Sequence, residues 1–156
     1  MPDRSGAALT SAVTVAWRVS NYRTLDGEGR MRASGRWHTK GRHIVYLAES
    51  PAGALVEVLV HLELDPAALP KNYTLLKVAI PADVPVKIAE PRASTLDVSR
   101  EVGDRWLKQR ESALLRVPSG ILPETFNLLL NPAHPDAARI RTGALRALGL
   151  SGALLI

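Results

Sequence analysis

Ser50-Pro51-Ala52-Gly53-Ala54-Leu55-Val56-Glu57-Val58-Leu59-Val60-His61-Leu62-Glu63 is the stretch on which the reading of this chain turns. Serine is a favoured N-cap, and proline suits the first helical position because its missing N–H would have no partner there. The pair opens a helix, expected over residues 51–63. The valines keep a strand reading open, since a short apolar run has no decisive period. Within a helix, Glu57 has Leu55, Val56, Val58, Leu59 and Val60 on all sides, which predicts burial all round. A carboxylate is seldom buried without a partner, because desolvation is expensive. Glu57 therefore faces a cleft or pairs with a cation. His61, one turn later, shares its face, and helix reasoning alone leaves the two readings equal.

Upstream, His43 to Ala48 reads as a short buried strand in which Tyr46 and Ile44 share a face. Alone, Tyr46 reads as a core residue. Arg30, Arg32, Arg36, Lys40 and Arg42 lie before it, interleaved with glycine and serine. This is a polar loop able to meet phosphate, although such loops are more often simply solvated. Within it stands Ser34-Gly35-Arg36-Trp37. Gly35 lets backbone approach closely, the Arg36 guanidinium is a planar fork suited to phosphate, and Trp37 either stacks a ring or anchors the loop. Ala12 to Val19 reads as a strand and Asn21 to Gly35 as a long loop.

Downstream, Tyr73 to Ile80, Val86 to Ala89, Leu114 to Val117 and Thr125 to Leu130 read as strands. Asp97 to Glu111 reads as an amphipathic helix burying Val98, Val102, Trp106 and Leu107. Ser119 and Asn131 fall in proline-stiffened turns, where such residues are usually turn formers. Residues 143–156 suggest a short helix broken at Gly149, and residues 1–11 a frayed end. Short strands with two helices and no regular alternation predict an α+β fold in one domain.

Composition narrows the function. The 156 residues suffice for one core, with 46% hydrophobic and 22% charged residues. No cysteine is present, which excludes disulfides, thiolate metal sites and a cysteine nucleophile. The four histidines show no metal-ligand spacing, so no metal is expected. There is no Gly-x-Ser-x-Gly elbow, Gly-x-Gly-x-x-Gly fingerprint or phosphate-binding loop motif. The net charge of +5 admits a nucleic-acid-binding module, but the basic residues form no helical stripe and aromatics are only 4%. No leader pattern or membrane-spanning run is visible, so a cytoplasmic protein without direct membrane or nucleic-acid contacts is expected.

Taken in order, Gly35-Arg36-Trp37, Val45-Tyr46-Leu47, Ser50-Pro51 with Leu55 to Leu62, Val117-Pro118-Ser119 and Leu129 to Pro135 resemble the RES domain. The resemblance covers about residues 15 to 136, with Arg36 ten residues before Tyr46 and Tyr46 eleven before Glu57. It implies a compact α+β domain related to the ADP-ribosyltransferase toxins, expected over residues 12–142, with 143–156 as a divergent tail. It implies an enzyme, a toxin that breaks the nicotinamide–ribose bond of NAD, neutralised by a cognate Xre-type helix-turn-helix antitoxin. Inorganic phosphate is the favoured acceptor, ahead of water or a protein, and NAD is substrate rather than cofactor. Arg36, Tyr46 and Glu57 would be catalytic, and Ser119, Trp37 and Asn131 would complete the NAD pocket. Ser34 departs from the family, which usually has a second glycine there.

Overall fold

The computed structural model describes residues 13–61, 73–89 and 95–148. Seven strands form one mixed sheet: β1 (Val15–Ser20), β2 (Val45–Ala48), β3 (Thr74–Ala79), β4 (Val86–Ile88), β5 (Leu114–Pro118), β6 (Phe126–Leu130) and β7 (Arg141–Ala147). Their order is β4-β5-β6-β2-β1-β3-β7. Only β4 and β5 run parallel; the other neighbours are antiparallel. Two helices, α1 (Pro51–His61) and α2 (Leu96–Gln109), complete an α+β domain. The ends at 1–11 and 149–156 and the His61 side chain lie outside the described residues.

Local chemistry starts both helices where the sequence indicates. Ser50 Oγ accepts the Gly53 N–H at 2.9 Å, so Ser50 caps α1 and Pro51 follows. Thr95 Oγ1 accepts the Val98 N–H at 3.2 Å at the start of α2. Helix geometry thus settles the strand-or-helix ambiguity of 51–61.

The sheet buries both faces. One carries Ala16, Val45, Leu47, Val78, Leu114, Leu128 and Leu130, closed by Val84 and Ile140 from connecting segments. The opposite face carries two separate clusters. Trp37, Ile44, Leu115, Val117 and Leu129 pack with Trp106 and Leu107 of α2. Val19 and Ala48 pack with Ala54, Leu55 and Val58 of α1. Each helix roofs one part of this face, and the gap between them leaves Tyr46 and Asn127 facing a cleft.

Three expectations need correction. First, α1 is not buried all round: Val56 and Val60 are exposed, because the sheet covers only one side of the helix. Second, Val98 is exposed, while Ser99 and Gly103 join Trp106 and Leu107 on the buried side of α2. Third, residues 141–147 form no helix. They pair with β3 through Thr74↔Ala147, Leu76↔Leu145 and Ala79↔Arg141, and this strand runs through the expected boundary at 142. Ladder hydrogen bonds to β3 outweigh the helical leaning of an Ala-Leu-Arg-Ala segment.

Candidate active site

The cleft between the helices has a volume of about 460 Å³ and is lined by residues from β1, the 22–37 loop, β2, α1 and β6. Among the described residues it brings together one carboxylate, Glu57, and three arginines.

Glu57 projects from α1. Its Oε1 accepts the Ser119 hydroxyl at 2.8 Å and the Asn127 amide at 2.9 Å. Ser119 is held in turn: its Oγ accepts the N–H groups of Ile121 (3.1 Å) and Leu122 (3.4 Å), so its one proton is directed at Glu57. No cation among the described residues pairs with Glu57. The carboxylate is oriented by neutral donors, with Oε2 unbonded among the described residues. Glu57 lines the cleft, and the His61 side chain, its expected partner in the paired reading, lies outside the described residues.

Arg18, Arg30 and Arg36 also line the cleft, with Arg36 against Gly120, the residue after Ser119. None has a carboxylate within ion-pair distance among the described residues. Arg18 is buried and donates to the Thr24 carbonyl at 3.0 Å. Burial first, and then the like charge of Arg30, pull its pKa down to about 10. Arg36 lies against Gly120, and its buried Nε has no partner. The rest of the basic loop is different: Arg42 is committed to Asp104 at 3.0 Å, and Arg32 and Lys40 are exposed.

Tyr46 also lines the cleft. Its register partner on β6 is Leu129, and the next pair on that face is Ala48 with Asn127. Tyr46 is therefore a diagonal neighbour of the residue that holds Glu57. Its hydroxyl accepts the Trp37 N–H at 3.0 Å and contacts His38 Nδ1 at 2.9 Å. His38 Nε2 lies 3.0 Å from the Arg30 carbonyl, which can only accept. The Nε2 proton is thereby assigned, and a neutral ring leaves Nδ1 to accept from Tyr46. Burial, the largest cause, holds His38 below the usual histidine pKa. Burial likewise pushes the Tyr46 phenol up to about 12. A Cβ at Gly35 would stand 2.6 Å from the Tyr46 hydroxyl and 2.8 Å from the His38 ring. Only glycine admits this approach. The Arg30 guanidinium sits 4.5 Å above the Tyr46 ring centroid.

The structure brings Arg36, Trp37, Tyr46 and Glu57 to one cleft and ties Ser119 to it through Glu57. Trp37 is 1% exposed and packs against α2, so it anchors the loop as well as lining the cleft. Asn131 is not brought there. Its amide donates to the Leu107 carbonyl at 3.0 Å and its Oδ1 accepts the Ala133 N–H at 3.1 Å, which fastens the turn after β6 to α2. Sequence reasoning missed Asn127, Arg18 and His38, and named Arg30 only as part of the basic loop. The available signals were an asparagine in the apolar Phe126–Leu130 run and an arginine in a Val-Ala-Trp strand. His38 carried no such signal, because its role depends on a loop carbonyl and a strand hydroxyl.

This α+β architecture is shared with a solved toxin. A chain in the crystal structure of the M. tuberculosis MbcT–MbcA toxin–antitoxin complex matches with a TM-score of 0.70 over 92% of this chain and 87% of that one, at 17% identity. Sequence comparison gives the family: residues 15–150 match the model of the RES domain, and the chain belongs to that family. Toxin Res of Pseudomonas putida is 45% identical over 127 residues, covering 79% of this chain and 88% of the relative. The Prs ADP-ribosylating toxin of Sphingobium sp. is 38% identical over 149 residues, covering 85% and 91%.

Proposed function

We propose that this protein is a toxin that cleaves the nicotinamide–ribose bond of NAD and transfers the ADP-ribosyl group to inorganic phosphate. The products would be ADP-ribose 1″-phosphate and nicotinamide. The observation that carries the reading is the charge of the cleft: a carboxylate held by neutral donors together with three arginines, none of the four in an ion pair among the described residues.

That layout matches what the reaction needs. The N-glycosidic bond breaks with its electron pair leaving on nicotinamide, which departs neutral, so no general acid is required. Positive charge develops on the ribose, as in other glycosyl transfers through oxocarbenium-like states. Glu57, oriented by Ser119 and Asn127, stabilises that charge and holds ribose hydroxyls. Arg36, which lines the cleft, grips the diphosphate with the planar fork of its guanidinium. Tyr46 contacts the nicotinamide or its ribose through its ring, since its hydroxyl is engaged with Trp37 and His38.

The Pseudomonas and Sphingobium relatives are toxins, which supports a toxic role for this chain, expected to act in the cytoplasm. The structural neighbour is a toxin–antitoxin complex, which supports neutralisation by a cognate antitoxin, for which an Xre-type helix-turn-helix protein is the expected partner. The ADP-ribosylating Sphingobium relative also supports a second reading, transfer to a protein side chain. Incubation of purified protein with NAD, with and without phosphate and candidate protein acceptors, followed by mass analysis, separates these readings. Intact NAD in every mixture would reject the enzyme. A nucleic-acid module would instead show binding that weakens steeply with salt.

A further inference from the structure

Three arginines converge on the cleft, whereas a dinucleotide diphosphate offers two negative charges. One cation is left over, and the geometry identifies it. Arg18 is buried and donates to Thr24, and Arg36 lies along Gly120 beside Trp37. Arg30 alone is stacked on Tyr46, one diagonal step from the residue holding Glu57. Its guanidinium has no hydrogen bond or ion pair among the described residues.

The position of Arg30 is built rather than incidental. Its carbonyl is fixed by His38 Nε2, and His38, fully buried, is fixed through Nδ1 by the Tyr46 hydroxyl. Tyr46 also receives the Trp37 N–H and packs closely over Gly35. One histidine thus joins the carbonyl of residue 30 to the aromatic ring beneath its guanidinium. A cation is thereby held over the Tyr46 ring in the cleft without an anion among the described residues to neutralise it.

We infer that Arg30, held by His38 and Tyr46, forms an oxyanion subsite that binds the acceptor phosphate separately from the diphosphate grip of Arg36. The inference rests on the NAD-cleaving reading above. In the step it serves, the C1″–N bond breaks with its electrons on nicotinamide, and an oxygen of HPO₄²⁻ bonds to C1″. The remaining phosphate proton passes to solvent as the ester settles to its dianion. Arg30 offsets the acceptor's charge as it nears Glu57, which would otherwise repel it. His38 is a positioning residue in this scheme.

The test measures initial rates against phosphate at fixed NAD, and against NAD at fixed phosphate, with products resolved by mass. Arg30→Gln is expected to raise KM for phosphate about tenfold or more, the usual consequence of losing a charge-assisted contact. KM for NAD should move much less, and the share of ADP-ribose among the products should rise. Arg30→Lys, which keeps the charge, should recover part of the phosphate dependence. His38→Asn leaves every charge in place, yet should shift KM for phosphate in the same direction. Arg42→Gln, whose arginine is occupied by Asp104, is the control and should shift neither constant. Equal rises in both constants for Arg30→Gln would make Arg30 part of the diphosphate grip and overturn the subsite. NAD cleavage indifferent to phosphate in the wild type would overturn it too. No cleavage by the wild type under any condition would instead overturn the reading beneath it.

Discussion

The acidic and basic groups of the cleft are finished to different degrees. At Glu57 one carboxylate oxygen is already held by Ser119 and Asn127, and backbone N–H groups bond Ser119, while Oε2 is unbonded among the described residues. Among the arginines, the buried Nε of Arg36 has no partner among the described residues, and burial first, then the like charge of Arg30, lowers the Arg18 pKa. The first arrangement is preorganised, its cost met during folding. The second is held under electrostatic tension that a polyanion relieves. The difference teaches that a carboxylate which must act on a fleeting positive charge is best fixed in advance, while cations that bind a stable anion can wait for it.

Substitutions of either kind of group test this contrast, and the greatest effect is expected at Glu57. Glu57→Gln keeps the shape and can retain both hydrogen bonds, so its melting temperature should stay near that of the wild type. NAD turnover should fall about 10²–10³-fold, as for loss of one preorganised contact to a developing charge. A large fall in melting temperature with a proportionate loss of activity would mean that Glu57 is structural. Arg36→Ala should weaken NAD binding about tenfold or more, because a charge-assisted contact is lost. Calorimetric titration with NAD, alongside Arg42→Ala, would show whether Arg36 acts specifically; equal losses would indicate only diffuse charge.

Asn131→Ala provides the contrast outside the cleft. It deletes one buried and one part-buried hydrogen bond and should cost about 1–3 kcal/mol of stability in chemical denaturation. KM for NAD should be unchanged in the folded fraction. A raised KM would return Asn131 to the substrate site.

The smallest effect concerns pH. His38 is held neutral, with its pKa lowered in the folded state, chiefly by burial. A base whose folded pKa is depressed adds stability above its unfolded pKa, about 6.5, and loses it as pH falls through the folded value. The groups facing it are Tyr46, Arg30 and, at longer range, Asp104. Melting temperature should therefore fall between pH 7 and 5 more steeply in the wild type than in His38→Asn. Parallel curves would show that His38 does not titrate in this way.

The fold was largely legible because its signals are local. Ser50-Pro51 and Thr95 mark helix starts by hydrogen bonds within one turn, and the strands end near prolines at 81, 118 and 132. The strand at 141–147 was not legible, since its ladder partner lies more than sixty residues earlier and its own composition favours a helix. The exposure of Val56, Val60 and Val98 was missed for a related reason: periodicity shows which side of a helix is apolar, but not how much of that side another element covers. Within the candidate site, the Arg36, Tyr46 and Glu57 positions came from ordered motifs. Asn127 and His38 escaped because each acts by bonding a residue distant in sequence, and neither role has a spacing to search for.

Gly103 carries a consequence in genetics. A Cβ at this position of α2 would overlap the Trp37 carbonyl, so the helix rests directly on the backbone of the arginine-bearing loop. No side chain is there to yield, and even alanine must push the loop or the helix aside. Among cells selected to survive expression of this chain, Gly103→Ala should therefore recur as an escape mutation. It would silence the protein with a single methyl group while every residue lining the cleft stays intact.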